Sequence, residues 1–451
     1  MGRVASVLPE PQVKPPRPLA AFRGSVLHFL SDPADGGASA VDYHPDGMLV
    51  VRDGRVAECG PADALVGKLP AGVPVTDYGG KLILPGFIDT HCHYAQTDII
   101  ASHGEQLLAW LEKYAFPAER RFADPTHAAE VAEFFCDELL QNGTTTALAF
   151  ATVHPTSVDA LFAAAARRRM RLIAGKVLMD RNCPEFLRDA PDGGYAASRT
   201  LIERWHGRER LLYAVTPRFA PTSTRLQMTV AGRLYAEHAG VYLQSHVAEN
   251  EAEGAWVAEL YPEARSYLDV YARYALLGPR TVFAHCIWLD DADRARMAAA
   301  GAAASFCPTS NLFLGSGLFD LERAHAMGLR VGIGTDVGGG TSFSLLQTLN
   351  EAYKVLQLRG QNLTGERAFY LATLGGARSL YLDAHIGNFE TGKEADFVVL
   401  DPHATPLLAR RMAHATTLGE RLFAFMMLGD DRAVAATHVL GEPYRRPTLR
   451  G

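Results

Sequence analysis

Two textures alternate along this chain. Between about residues 84 and 388, short runs that are apolar throughout are each followed by a longer stretch with apolar positions at helical spacing. The runs are 84–89, 144–151, 171–179, 211–219, 241–245, 281–284, 302–307 and 331–335, and helix-rich stretches such as 128–141, 158–169 and 342–358 lie between them. Strands that are apolar on both faces, rather than alternating, are those of a parallel sheet covered by helices. Eight strand–helix units in about 300 residues predict an α/β fold, a (β/α)8 TIM-like barrel. The flanks read differently. From 21 to 83, short β-like runs are broken by Gly, Pro and Asp. Met48-Leu49-Val50-Val51, then Asp53-Gly54, then Arg55-Val56 predicts a hairpin, because Asp-Gly supplies the positive φ of a tight turn. Residues 396–400 and 433–440 have the same texture. The predicted organisation is a flexible arm at 1–20, one part of a small β domain at 21–83, the barrel at 84–388, and the second part at 389–451. Paired, the two ends make a small β-sandwich domain.

Composition narrows the function. Among 451 residues, Lys plus Arg is 44 and Asp plus Glu is 50, a formal charge of −6, which excludes a nucleic-acid binder relying on phosphate neutralisation. Hydrophobic residues at 48% and charged residues at 21% are globular proportions. No apolar run approaches the ~18 residues of a membrane span, and the Pro-rich start has no secretory h-region. Six scattered cysteines, Cys59, Cys92, Cys136, Cys183, Cys286 and Cys307, predict reduced thiols in a cytoplasmic protein.

Barrel chemistry sits where strands end, so the residues after each run carry the most information. His91, Cys92 and His93 end the first run. His246, with Glu249 three residues on, ends the fifth, His285 ends the sixth, and Asp336 ends the eighth. Histidines at i and i+2 of a strand point to one side, so His91 and His93 can reach one ion above the barrel mouth. Imidazoles and a carboxylate suit a divalent ion such as zinc, and an open coordination position activates water. His103, His127, His154 and His206 stand alone and are read as structural. The Gly387-to-Lys393 stretch resembles a phosphate loop but continues into Glu394 instead of Ser or Thr, and its strand follows it; it is read as a turn.

Pro85-Gly86-Phe87-Ile88-Asp89-Thr90-His91-Cys92-His93, together with His246, His285 and Asp336, resembles the metal-dependent amidohydrolase superfamily. Within it the chain is similar to the guanine deaminase branch. That similarity rests on Gln96, on the block Trp110 to Glu119, on Asn142-Gly143-Thr144-Thr145-Thr146, on Val215-Thr216-Pro217-Arg218-Phe219, on Gln244 to Asn250, and on Gly334 to Gly339. It spans about residues 80–400.

The resemblance implies hydrolytic removal of ammonia from guanine, giving xanthine, with guanine and water as the only substrates and no membrane or nucleic-acid partner. It implies His91, His93, His246 and Asp336 as metal ligands, Asp336 also as proton acceptor, Glu249 as proton shuttle, and His285 as the group that orients the attacking oxygen. Arg218 is implied as donor to the purine O6, Gln96 as partner to the ring, Phe219 as an apolar wall and Trp110 as part of a lid. Two-metal members bridge their ions with a carboxylated Lys at the end of strand four. Here that position is Arg218, with Lys176 on the third run instead, so one zinc per chain is expected. A homodimer is expected from the habit of such barrels. The alternative substrate is a related amino-heterocycle: 8-oxoguanine, a pterin or an adenosine-like compound.

Overall fold

The structure is a computed structural model and describes residues 19–445. The arm expected at 1–20 falls, but for its last two residues, outside them. Eight parallel strands form the barrel: β1 Phe87–His93, β2 Thr144–Phe150, β3 Arg171–Gly175, β4 Leu211–Pro217, β5 Tyr242–Val247, β6 Thr281–His285, β7 Ala303–Phe306 and β8 Arg330–Ile333. They pair in sequence order. The circle closes beyond the end of β8. Asp336 N donates to His91 O at 2.8 Å, and His93 N donates to Val337 O at 2.6 Å.

Alternation within the strands builds two layers. Ile88, Leu148, Ile173, Ala214, Tyr242, Val282 and Ala303 meet inside the barrel. Their neighbours, such as Ala147, Leu172, Tyr213, Leu243 and Phe283, face outward into the helical ring. Truncating one interior residue, Ile173→Ala, would cost about 2–5 kcal/mol, since the closed wall cannot collapse into the gap. The helices begin where the local chemistry says they should. Pro125–Gln141 starts on Asp124, which accepts from Thr126 N at 2.9 Å, with Pro125 in the first turn.

The third apolar run divides. β3 stops at Gly175, and a two-residue strand, Val177–Leu178, pairs with Thr216 and Pro217. A Cβ at Gly175 would lie 1.7 Å from Ala214 O, so only glycine admits this approach. Lys176 turns away and ion-pairs with Asp189.

The chain ends build a seven-stranded sheet in the order Glu442–Pro443, Val434–Val439, Phe397–Leu400, Val75–Pro85, Ala20–Phe29, Val41–Arg52, Arg55–Pro61. The hairpin turn is the expected one: Asp53 and Gly54 have φ of 55° and 77°. Val75–Pro85 runs through Gly86 directly into β1, so this sheet anchors the start of the barrel. Arg171 and Arg210, buried at the starts of β3 and β4, hold Glu394 at 2.6 and 2.9 Å and tie the returning segment to the barrel floor. Among the described residues no helix is long and apolar enough to cross a membrane, and all six cysteines are free.

Candidate active site

Of the ten residues singled out in the sequence, all except His91 line one cleft at the C-terminal mouth of the barrel. His91 lies just beneath, its Nε2 3.2 Å from His93 Nε2 and 3.2 Å from Asp336 Oδ1. His93 Nε2 is also 3.2 Å from His246 Nε2 and 3.4 Å from Asp336 Oδ1. A tetrahedral zinc with bonds of 2.0–2.1 Å separates neighbouring ligand atoms by about 3.3 Å. The four expected ligands therefore already stand at the edge lengths of a zinc polyhedron.

Ring orientation fits the same purpose. His246 donates from Nδ1 to Arg218 O at 2.7 Å, and His285 donates from Nδ1 to Asn311 Oδ1 at 2.9 Å. Each bond leaves the Nε2 lone pair facing the cage. Burial pushes His93 down to about 4 and His246 well below its ordinary value, so both are neutral at pH 7, as ligands must be. Burial raises Asp336, but the facing His91, with His93 and His285, outweighs it and holds the carboxyl well below the usual carboxylate range. The backbone is strained at the ends of β6 and β8: φ is 71° at His285, 53° at Cys286 and 51° at Asp336.

A second set stands above the cage. Glu249 Oε2 is 3.2 Å from His285 Nε2, while Ser316 Oγ donates to Glu249 Oε1 at 2.9 Å. Burial, then the charge of Asp336, raises the Glu249 carboxyl to about 8, with Ser316 opposing. Asn250 caps the helix Glu251–Leu260, and Glu253 completes that cap by accepting from Glu249 N at 3.0 Å and Asn250 N at 3.2 Å. The Glu249 backbone is thus pinned at a helix start. Arg218, Gln96, Phe219 and Trp110 line the same cleft. Trp110 Nε1 is buried with no protein acceptor among the described residues.

Several contributors were not singled out in the sequence. Asp89, two residues before His91, accepts from His91 N at 3.1 Å, from Thr335 N at 3.1 Å and from the Thr335 hydroxyl. Only its period-two register with His91 and His93 signalled it. Cys307 brings its sulfur within 4.8 Å of the ligand atoms of His91 and Asp336. Burial drives its thiol well above the ordinary value, so it is a neutral neighbour. Glu119 is buried behind Arg218, with its oxygens 2.8 and 2.7 Å from Arg218 Nη1. It closes the Trp110-to-Glu119 block, but nothing in the local pattern marks its partner.

A parallel barrel with a histidine and aspartate cage at its mouth defines a hydrolase of the amidohydrolase type. The amidohydrolase family profile matches residues 82–443, and the chain belongs to that family. The guanine deaminase of Escherichia coli (strain K12) is 52% identical over 94% of this chain and 97% of its own length. The E. coli guanine deaminase structure covers 95% of this chain and all of its own, with a TM-score of 0.93. The guanine deaminase of C. acetobutylicum, solved with guanine bound in its active site, is 28% identical, with a TM-score of 0.86 over 95% of this chain and 100% of that one. Within the family the chain groups with the guanine deaminases.

Proposed function

We infer that this protein is a guanine deaminase, converting guanine and water to xanthine and ammonia. The observation that carries the reading is Glu249. It lines the same cleft as Arg218 and Gln96, and its carboxyl lies 3.2 Å from Nε2 of His285 in the histidine cluster.

His91, His93, His246 and Asp336 would hold one zinc ion. A zinc there supplies an electrophilic centre that lowers the pKa of water from 15.7 toward about 7. Asp336, kept ionised, accepts a proton from the attacking water. Glu249, kept protonated near neutrality, gives its proton to a purine ring nitrogen, which makes C2 electrophilic, and afterwards helps protonate the departing ammonia. His285 Nε2 lies 3.2 Å from Glu249 and 3.8 Å from Asp336, suited to orient the attacking oxygen and stabilise charge developing between them. Arg218 donates to O6, Gln96 bonds the ring, and Phe219 and Trp110 are the walls that keep water out.

A single ion is supported by the end of β4. Arg218 stands just past it, the buried Lys176 is paired with Asp189, and among the described residues lining the cleft there is no lysine to become a bridging carbamate. Free thiols throughout suit a cytoplasmic setting. A homodimer is the assembly expected, and sedimentation velocity reads it directly. The deciding experiment is zinc-loaded protein mixed with guanine. Xanthine and stoichiometric ammonia are expected, and a metal-replete protein that leaves guanine untouched would overturn the reading.

A further inference from the structure

We propose that Glu119 is a positioning residue that sets the polarity of the purine-recognition edge by holding Arg218 and Gln96 together. The proposal rests on the guanine reading above. Glu119 lies on the helix Phe116–Arg120, is 1% exposed, and does not line the cleft, so it acts only through its neighbours. Both of its oxygens engage Arg218 Nη1, at 2.8 and 2.7 Å, and Oε1 also accepts from Gln96 Nε2 at 3.1 Å.

The consequence for Gln96 is a fixed amide. Its nitrogen faces the carboxylate, and its oxygen accepts from Gly338 N at 3.4 Å. Turned over, the amide would set oxygen against carboxylate and N–H against N–H, so both partners select the same sense. Gly338 is required for this approach, since a Cβ there would lie 2.5 Å from Gln96 O. Arg218 is fixed just as firmly. Glu119 takes one end of its guanidinium, and the Phe116 ring lies 5.2 Å from its centre. Among the described residues, Arg218 Nε and Nη2 and the second N–H of Gln96 have no side-chain or backbone acceptor.

What remains on this side of the cleft is therefore a row of donors. An oxo group and a ring nitrogen lone pair satisfy them. An amino group at the same place sets hydrogen against hydrogen and leaves buried donors unpaired, the kind of mismatch that discriminates most strongly. Glu119 makes that row one-sided. A neutral amide in its place would accept less strongly from Arg218 and would let Gln96 turn over.

The test uses zinc-loaded full-length protein, guanine as substrate, and 2,6-diaminopurine, which carries an amino group in place of the oxo group, as competitor. For Glu119→Gln the expected result is unchanged zinc content, a guanine KM raised at least about tenfold with a smaller fall in kcat, and a competitor-to-guanine preference shifted at least about tenfold toward the diamino compound. Should that variant fail to fold, Glu119→Asp keeps the charge, draws it back by one methylene, and carries the same expectation in KM and preference. An unchanged preference in a folded variant overturns the proposal, even if overall activity drops, because a merely structural role would weaken both purines alike. A wild type without guanine turnover overturns the functional reading itself and this proposal with it.

Discussion

His246 donates from Nδ1 to the main-chain oxygen of Arg218 at 2.7 Å. One residue thus aims a cage histidine with its backbone and lines the cleft with its side chain. The two duties are separable, because a side-chain substitution leaves the carbonyl in place. Arg218→Met should keep its zinc, measured by metal analysis, while kcat/KM for guanine falls at least about a hundredfold. Loss of zinc in step with activity would show that the side chain supports the cage.

The same substitution has a cost in stability. Arg218 and Glu119 are 3% and 1% exposed as side chains, and removing the cation strands a buried carboxylate. Breaking such a pair costs about 3–5 kcal/mol. Adding Glu119→Leu to Arg218→Met should recover most of the lost unfolding free energy in denaturant titration, without restoring activity.

Glu249→Gln keeps the size of the side chain and removes the transferable proton. Zinc content should be unchanged and turnover should fall by about 10²–10⁴, read as ammonia release. Retained turnover would remove Glu249 from the proton path.

Glu253 gives a pH signature. Burial raises it from 4.5 to about 7. The folded protein therefore takes up a proton that the unfolded chain releases between those values. Its contribution to stability is complete below about 4.5 and is lost as pH climbs through 7, worth roughly 3 kcal/mol over the window. Glu253→Gln should flatten the fall in unfolding free energy between pH 5 and 7 at matched zinc occupancy. An equally steep curve would mean that Glu253 does not carry it.

Chelation should abolish turnover, and about one equivalent of zinc per chain should restore it. A requirement for two equivalents would contradict the assignment of Arg218 and Lys176.

The cage was legible in the sequence because its members sit at strand ends, where an apolar run stops and a polar residue begins. Direction along the barrel then follows from chain order alone. The supporting groups were not legible for the opposite reason. Glu119 and Arg218 are 99 residues apart, and Ser316 and Glu249 are 67 apart. Nothing in local spacing records a contact made only by tertiary packing. The break at Lys176 was hidden as well, since composition gives no sign that Gly175 meets the backbone of the next strand.

Asp89 and Thr335 clasp the first barrel strand to the segment beyond the last, 246 positions away. A chain still emerging from the ribosome has two of the histidines early, but lacks the aspartate and the clasp until nearly all of the barrel has been made. If the cage takes the expected ion, its capture is a late event that reports completed assembly, and fragments ending before residue 335 should acquire none, however much of the barrel they contain.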